Sequence, residues 1–244
     1  IKEEVLLSSK TDERTYPSFS PDGKELAFIE NRNKLMVYNL ETKKVREVTD
    51  GSNWYNTGGG FSYEWSPDSK WFAIELISRK HEPYTDVAIV NAQGGEIYNI
   101  TNSGYFSESP TWVMEGNAIL FLTDRYGMRS HASWGSLSDA MIVFLNQETY
   151  DEFRLSKEEK EYRKELEKLA KKDEKSDDKS DKKEDKKGDK DSKKGVKDIV
   201  VEIDGLEDRV VRLTPTSSNM SSAMITNDGQ TLYYIASYQA GYEL

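Results

Sequence analysis

No cysteine occurs in the 244 residues, which excludes a disulfide framework and a thiolate metal site. Histidine is almost as scarce. The two present, His81 and His131, give no metal-ligand spacing. No apolar run approaches the roughly 20 residues needed to cross a bilayer, so no membrane span is expected. There is no Gly-x-Ser-x-Gly elbow for a nucleophilic serine and no glycine loop opening a helix for phosphate. Neither cofactor nor metal is expected. Positive charge is also short, with 34 basic against 44 acidic residues. Residues 171–194, "KKDEKSDDKSDKKEDKKGDKDSKK", hold 11 lysines and 9 acids, which leaves 23 basic against 35 acidic residues elsewhere. A surface that acidic repels a phosphate backbone and argues against a nucleic-acid partner. No secretion signal is visible, but the chain starts at Ile1. It is therefore expected to be a piece of a longer protein.

Aromatic residues, at 11%, argue for a real core, and they fall in a repeating pattern. "FSPDGKELAFIE" (19–30) returns as "WSPDSKWFAIEL" (65–76). Ser20-Pro21-Asp22-Gly23 has the composition of a type I turn between two strands. From Asp22 to Asp68 is 46 residues, and from Asp68 to Glu115, in a worn copy, is 47. The fourth copy, Thr226-Asn227-Asp228-Gly229, follows after 113, one further period plus an excess of 66. Each copy has a matching entry: "VLLSSK" (5–10), "REVTDG" (46–51), "YNITNSG" (98–104) and "VRLTPTS" (211–217). Four strands per ~45 residues, with near-continuous apolar middle strands, read as blades of a β-propeller. The fold class expected is all-β: a partial propeller of about four blades of four-stranded antiparallel sheet.

The excess is a single insertion. "QETYDEFRLSKEEKEYRKELEKLAKK" (147–172) reads as a short helix, with Ser156 and Glu159 spaced as a capping box. Tyr162, Leu166 and Leu169 give it only a thin apolar stripe. Residues 171–194 lack any apolar residue and read as disordered. Strand pattern resumes in "KDIVVEIDGLEDRVVRLTP", with Asp204-Gly205 at a turn between strands. The organisation expected is propeller blades over 1–146, helix plus charged insertion over 147–197, and propeller again over 198–244. The insertion then lies between the third and fourth strands of blade three. Open sheet edges at both ends would make the chain prone to aggregate.

Chemistry-bearing residues are few. Arg125, Arg129 and His131 share one loop beside Asp124 and Trp134. Two arginines could clamp a carboxylate bidentately, such as a peptide C-terminus. Alternatively, Asp124 and Arg125 brace the hairpin and Trp134 packs between blades. Glu25, Glu30, Asp68 and Glu75 fall within repeat strands and turns and suggest no acid–base role.

"YPSFSPDGKELAFI" resembles the propeller repeat of TolB-like proteins and tricorn proteases. "LTDRYGMRSHASWGSLSDAMIVFLNQETYDEFRLSKEE", the Lys/Asp/Glu-rich insertion after it and the return through "VEIDGLEDRVVRLTP" are similar to the second, seven-bladed propeller of bacterial tricorn protease homologues. That resemblance implies a multidomain, periplasmic serine peptidase, with a cytoplasmic one as the alternative. The propeller would guide peptide substrates towards a PDZ-like domain and a protease core carried elsewhere in the polypeptide. It assigns no catalytic residue to any position here. Two other readings stay open: a TolB-like propeller that only binds proteins, and the lid propeller of a prolyl-oligopeptidase-type hydrolase.

Overall fold

A computed structural model of the chain describes residues 3–55, 59–78, 82–128, 137–177 and 197–237. Three complete four-stranded sheets and one two-stranded hairpin follow one another along the chain. Blade 1 comprises β1 (Arg14–Phe19), β2 (Glu25–Glu30), β3 (Lys34–Asn39) and β4 (Val45–Glu47). Blade 2 comprises β5 (Tyr63–Trp65), β6 (Trp71–Leu76), β7 (Asp86–Asn91) and β8 (Ile97–Asn99). Blade 3 is built from β9 (Ser107–Val113), β10 (Ala118–Thr123), β11 (Asp139–Phe144) and β12 (Val210–Arg212), and blade 4 from β13 (Asn219–Ile225) and β14 (Leu232–Ser237). Every pairing is antiparallel between neighbours in the meander.

Three apolar layers join the blades in series. Ile29, Leu35 and Val37 of blade 1 pack on Phe72, Ile74 and Val90 of blade 2. Ala73, Val87 and Ile89 pack on Ile119, Phe121 and Val143 of blade 3. Leu120, Ile142 and Phe144 pack on Met220 and Ile225 of blade 4. One sheet thus buries alternate residues on two different neighbours, which is why β6, β7, β10 and β11 are continuous apolar runs. Two layers packed face to face would instead leave one core. The four sheets form an open fan, the arrangement of a partial propeller.

The turn motif works the same way in blades 1, 2 and 4. Ser20 Oγ donates to Asp22 Oδ1 at 2.6 Å, and Asp22 Oδ1 accepts the amide of Lys24 at 3.1 Å. Ser66 with Asp68 and Thr226 with Asp228 repeat it. In the worn copy, Gly116 sits at φ +92°, a backbone conformation that favours glycine, and a Cβ there would press on Ile199 Cδ1 at 2.4 Å. The recurring Val/Ile/Leu-Thr entry also gains a cause. Thr49, Thr101 and Thr214 each accept, through Oγ1, the amide of the second residue of the third strand: Leu35 at 2.9 Å, Val87 at 3.0 Å and Ala140 at 3.3 Å. "VLLSSK" forms no strand.

The insertion departs from the sequence reading in three respects. It holds two helices, α1 (Gln147–Arg154) and α2 (Lys157–Asp177). The break has a physical cause: Ser156 Oγ accepts the amide of Glu159 at 3.2 Å while Glu159 Oε2 accepts that of Ser156 at 2.8 Å. That capping box starts a new helix and holds the backbone before it extended. Second, helix continues through Asp177, into the tract read as disordered, because Lys and Glu are good helix formers. The remainder of that tract, to 194, lies outside the described residues. Third, residues 198–203 form no strand. They run as an extended strap, with the Ile199 amide on Asp68 Oδ2 at 2.9 Å and the Glu202 amide on the Leu145 carbonyl at 2.8 Å. Ile199, Val201 and Ile203 pack on the layer between blades 2 and 3. Asp204-Gly205 then turns into a 3-10 helix, Leu206–Arg209, rather than a hairpin. β12 nonetheless completes blade 3 against β11.

Candidate functional site

The first strands of the blades converge. Trp65 Nε1 donates to the Ser18 carbonyl of the preceding blade, and Trp112 Nε1 to that of Glu64, both at 3.2 Å. The Tyr63 hydroxyl donates to the Tyr16 carbonyl. Both indoles are buried, so Trp65 and Trp112 belong to the core. Trp134 lies outside the described residues.

The converging strands are irregular in register. β1 bulges between Thr15 and Ser18, β9 between Glu108 and Thr111, and β13 at Ser221. Tyr16 (φ 53°) and Ser109 (φ 55°) adopt left-handed backbone conformations at equivalent points of the repeat, each just before a proline. Such bulges stop pairing and re-aim side chains. At the first, Tyr16 stands 62% exposed.

Between β1 and β5 a cleft of about 510 Å³ opens, lined by Tyr16, Pro17, Phe61, Tyr63 and Glu75 among others. Glu75 is fixed from two blades. Its Oε2 accepts the Ser62 amide at 3.1 Å and its Oε1 the Ser109 amide at 2.9 Å. Glu64 accepts the Trp112 amide at 2.8 Å, and burial pushes its carboxyl up against that bond. Loss of solvent raises the carboxyl of Glu108 as well, followed by the charges of Glu75 and Asp124. Burial likewise raises the Tyr63 phenol. Glu75 and Glu108 feel each other's charge, which makes this edge of blades 2 and 3 acidic.

Sequence reasoning passed over Glu75, and a signal for it existed. In register with the turn aspartate, its position holds Ile29, Leu122 and Ile235 in the other repeats. A carboxylate in an apolar register marks a side chain with another task.

Of the predicted carboxylate clamp, only Arg125 can be placed; Arg129 and His131 lie outside the described residues, as does His81. Arg125 is exposed, sits 5.6 Å from the ring of Tyr126 and lines a cavity of about 80 Å³ with Ser107, Thr123 and Glu207. Arg212 approaches the same Tyr126 ring at 5.0 Å. Asp124 braces the hairpin, accepting the Phe106 amide at 3.0 Å. Among the described residues no cluster of three or more acidic or histidine side chains has metal-binding geometry, and no helix is long and apolar enough to cross a membrane.

No family profile matches the chain. A protein of Sulfurisphaera tokodaii named as a tricorn-like protease C-terminal subunit is 29% identical over 108 residues, 44% of this chain and 12% of that protein. The crystal structure of the tricorn protease matches 87% of this chain, with a TM-score of 0.56 and 11% identity, and 18% of its own length is covered. The β-propeller domain of the Trilobed protease from Pyrococcus furiosus matches 53% of this chain and 40% of its own, at 22% identity and a TM-score of 0.38. The resemblance to tricorn-like proteases read from the repeats thus recurs in sequence and in fold. The chain spans about an eighth of the curated relative it matches.

Proposed function

We propose that this chain is the non-catalytic propeller region of a tricorn-like serine peptidase, and that it guides or filters peptides on their way to a catalytic core elsewhere in the polypeptide. The observation that carries the reading is the convergence of bulged first strands on a shared, acidic inner wall, in a fold like that of the tricorn protease. Closed into a ring by further blades, such a fan would leave a narrow axial passage that admits an extended chain and excludes a folded domain. An acidic wall favours basic or neutral peptides over acidic ones, and salt weakens that preference. We extend the proposal to a periplasmic location, which rests on the resemblance to exported bacterial homologues alone.

Two measurements test the reading. A serine-reactive fluorophosphonate should leave the isolated chain unmodified. In the full polypeptide, basic peptides should be cleaved faster than acidic ones at low salt, with the gap narrowing at high salt. Labelling of a serine in this chain, or equal and salt-independent cleavage, would overturn it.

A further inference from the structure

We propose that the cleft between the first strands of blades 1 and 2 is a subsite for one basic side chain, arginine or lysine, of an extended peptide. The inference rests on the conduit reading above and names what the wall selects.

The cleft is of side-chain scale. Its volume of about 510 Å³ falls in the range of small-ligand sites. Its walls are aromatic: Tyr16 on one side, Phe61 and Tyr63 on the other. The Tyr63 hydroxyl is committed to the Tyr16 carbonyl, so that ring offers its face rather than its donor. Gly60 keeps the floor open, since a Cβ there would lie 3.2 Å from the Tyr16 ring and 3.3 Å from Ile29 Cγ2.

Glu75 supplies the charge. Two backbone amides fix its carboxylate, and no lysine or arginine pairs with it among the described residues. Each oxygen accepts one amide and keeps further acceptor capacity. Aromatic faces beside a fixed, unpaired carboxylate recognise a cation through both ring quadrupole and ion pair. An apolar side chain seated there would strip water from Glu75 and return nothing to its charge, and an acidic one would be repelled.

The test uses the whole chain and labelled pentapeptides of alanine with Arg, Lys, Ala or Glu at the centre, read by fluorescence anisotropy. Arg and Lys peptides should bind about tenfold tighter than the Glu peptide. Glu75→Gln should remove most of that gap, and Tyr16→Ser should narrow it about threefold, while Ala-peptide binding holds. Thermal melts establish that each variant is folded. Should Glu75→Gln unfold, Tyr16→Ser and crosslinking decide, Tyr16 being exposed: a benzophenone-bearing Arg peptide should label Tyr16, Phe61 or Tyr63. An unchanged Arg-over-Glu ratio in both folded variants, or adducts mapping elsewhere, would overturn the subsite. A charge preference that survives in both folded variants would sink the subsite and leave the acidic wall standing; peptides that bind without charge preference would sink both. If no peptide binds at any charge, both fall.

Discussion

Trp112 donates its indole N–H to the backbone carbonyl of Glu64, 48 residues earlier, at 3.2 Å. Its own amide is held by the Glu64 carboxylate at 2.8 Å. One side chain thus ties two consecutive blades at their converging edge, and Trp65 ties the pair before it through Ser18. Trp112→Phe keeps the buried ring and loses the donor. The expected cost is about 1 kcal/mol, read as a lower urea midpoint. Trp112→Ala also empties the packed site and should cost roughly 3–5 kcal/mol. Equal losses for Phe and Ala would show that the indole bond contributes all of the effect.

Arg46 grips Glu25 with both terminal nitrogens at 2.5 Å and reaches the Ala92 carbonyl of blade 2 at 2.9 Å. That bidentate contact, helped by Asn39 and opposed by burial, holds the Glu25 carboxyl below its ordinary value of 4.5. A group depressed in the folded state stabilises it above the unfolded pKa, and the contribution disappears as pH falls through the folded value. Unfolding midpoints of the parent should therefore drop below about pH 4.5 more steeply than those of Glu25→Gln. Parallel profiles would sink the assignment.

Glu108 has the opposite sign. Its carboxyl is raised by lost solvent and by the charges of Glu75 and Asp124. The stability tied to its protonated form is complete below the unfolded pKa and is lost as pH rises through the folded one. Glu108→Gln should raise the melting temperature at neutral pH and leave it nearly unchanged at acid pH. A lower melting temperature at neutral pH would contradict this.

How much of this was legible follows from how local each cause is. The turn Ser20-Pro21-Asp22-Gly23 carries its whole mechanism within a few residues, as Ser20 Oγ also accepts the Glu25 amide at 3.0 Å. The blade period was readable for that reason. "KDIVVEID" alternates like a strand, yet its partners are the Asp68 carboxylate and the Leu145 carbonyl, which lie far off in sequence. The helix break was readable in principle: Ser156 and Glu159 define an N-terminus, and an N-terminus in mid-segment means two helices. The acidic wall was not, because Glu75 and Glu108 meet only through bulges and blade stacking.

The far face of blade 4 leaves Tyr233 57% and Ile235 68% exposed. In register with the turn aspartate these positions match Ala27 and Ile29 of blade 1, which are fully buried. A bare apolar sheet face of this kind promotes association. Ile235→Lys should shift the isolated chain towards monomer in size-exclusion chromatography with little change in melting temperature. A monomeric parent at high concentration would refute this.

Asp139 is wholly buried and collects four bonds at the closure of blade 3. Arg212 approaches it through Nε at 3.0 Å and a terminal nitrogen at 2.8 Å, Thr214 through Oγ1 at 2.7 Å and Ser217 through Oγ at 2.7 Å. Every one of those donors follows the insertion, so this carboxylate recaptures the chain after its excursion. Asp139→Ala should cost roughly 2–3 kcal/mol, since buried Thr214 loses its acceptor while exposed Arg212 can turn to water. Replacing 157–196 by a flexible linker of about 12 Gly/Ser residues, which reaches roughly 20 Å, should cost far less. The apolar contacts of the segment lie in Tyr150 and Phe153 of α1 and in the strap from Ile199, and both are retained. Tyr162, Leu166 and Leu169 of the deleted α2 are exposed. Cooperative unfolding near the parent midpoint in the linker variant, with a clear loss in Asp139→Ala, is the expected pair of results. The reverse ordering would mean that α2 rather than Asp139 holds blade 3 closed.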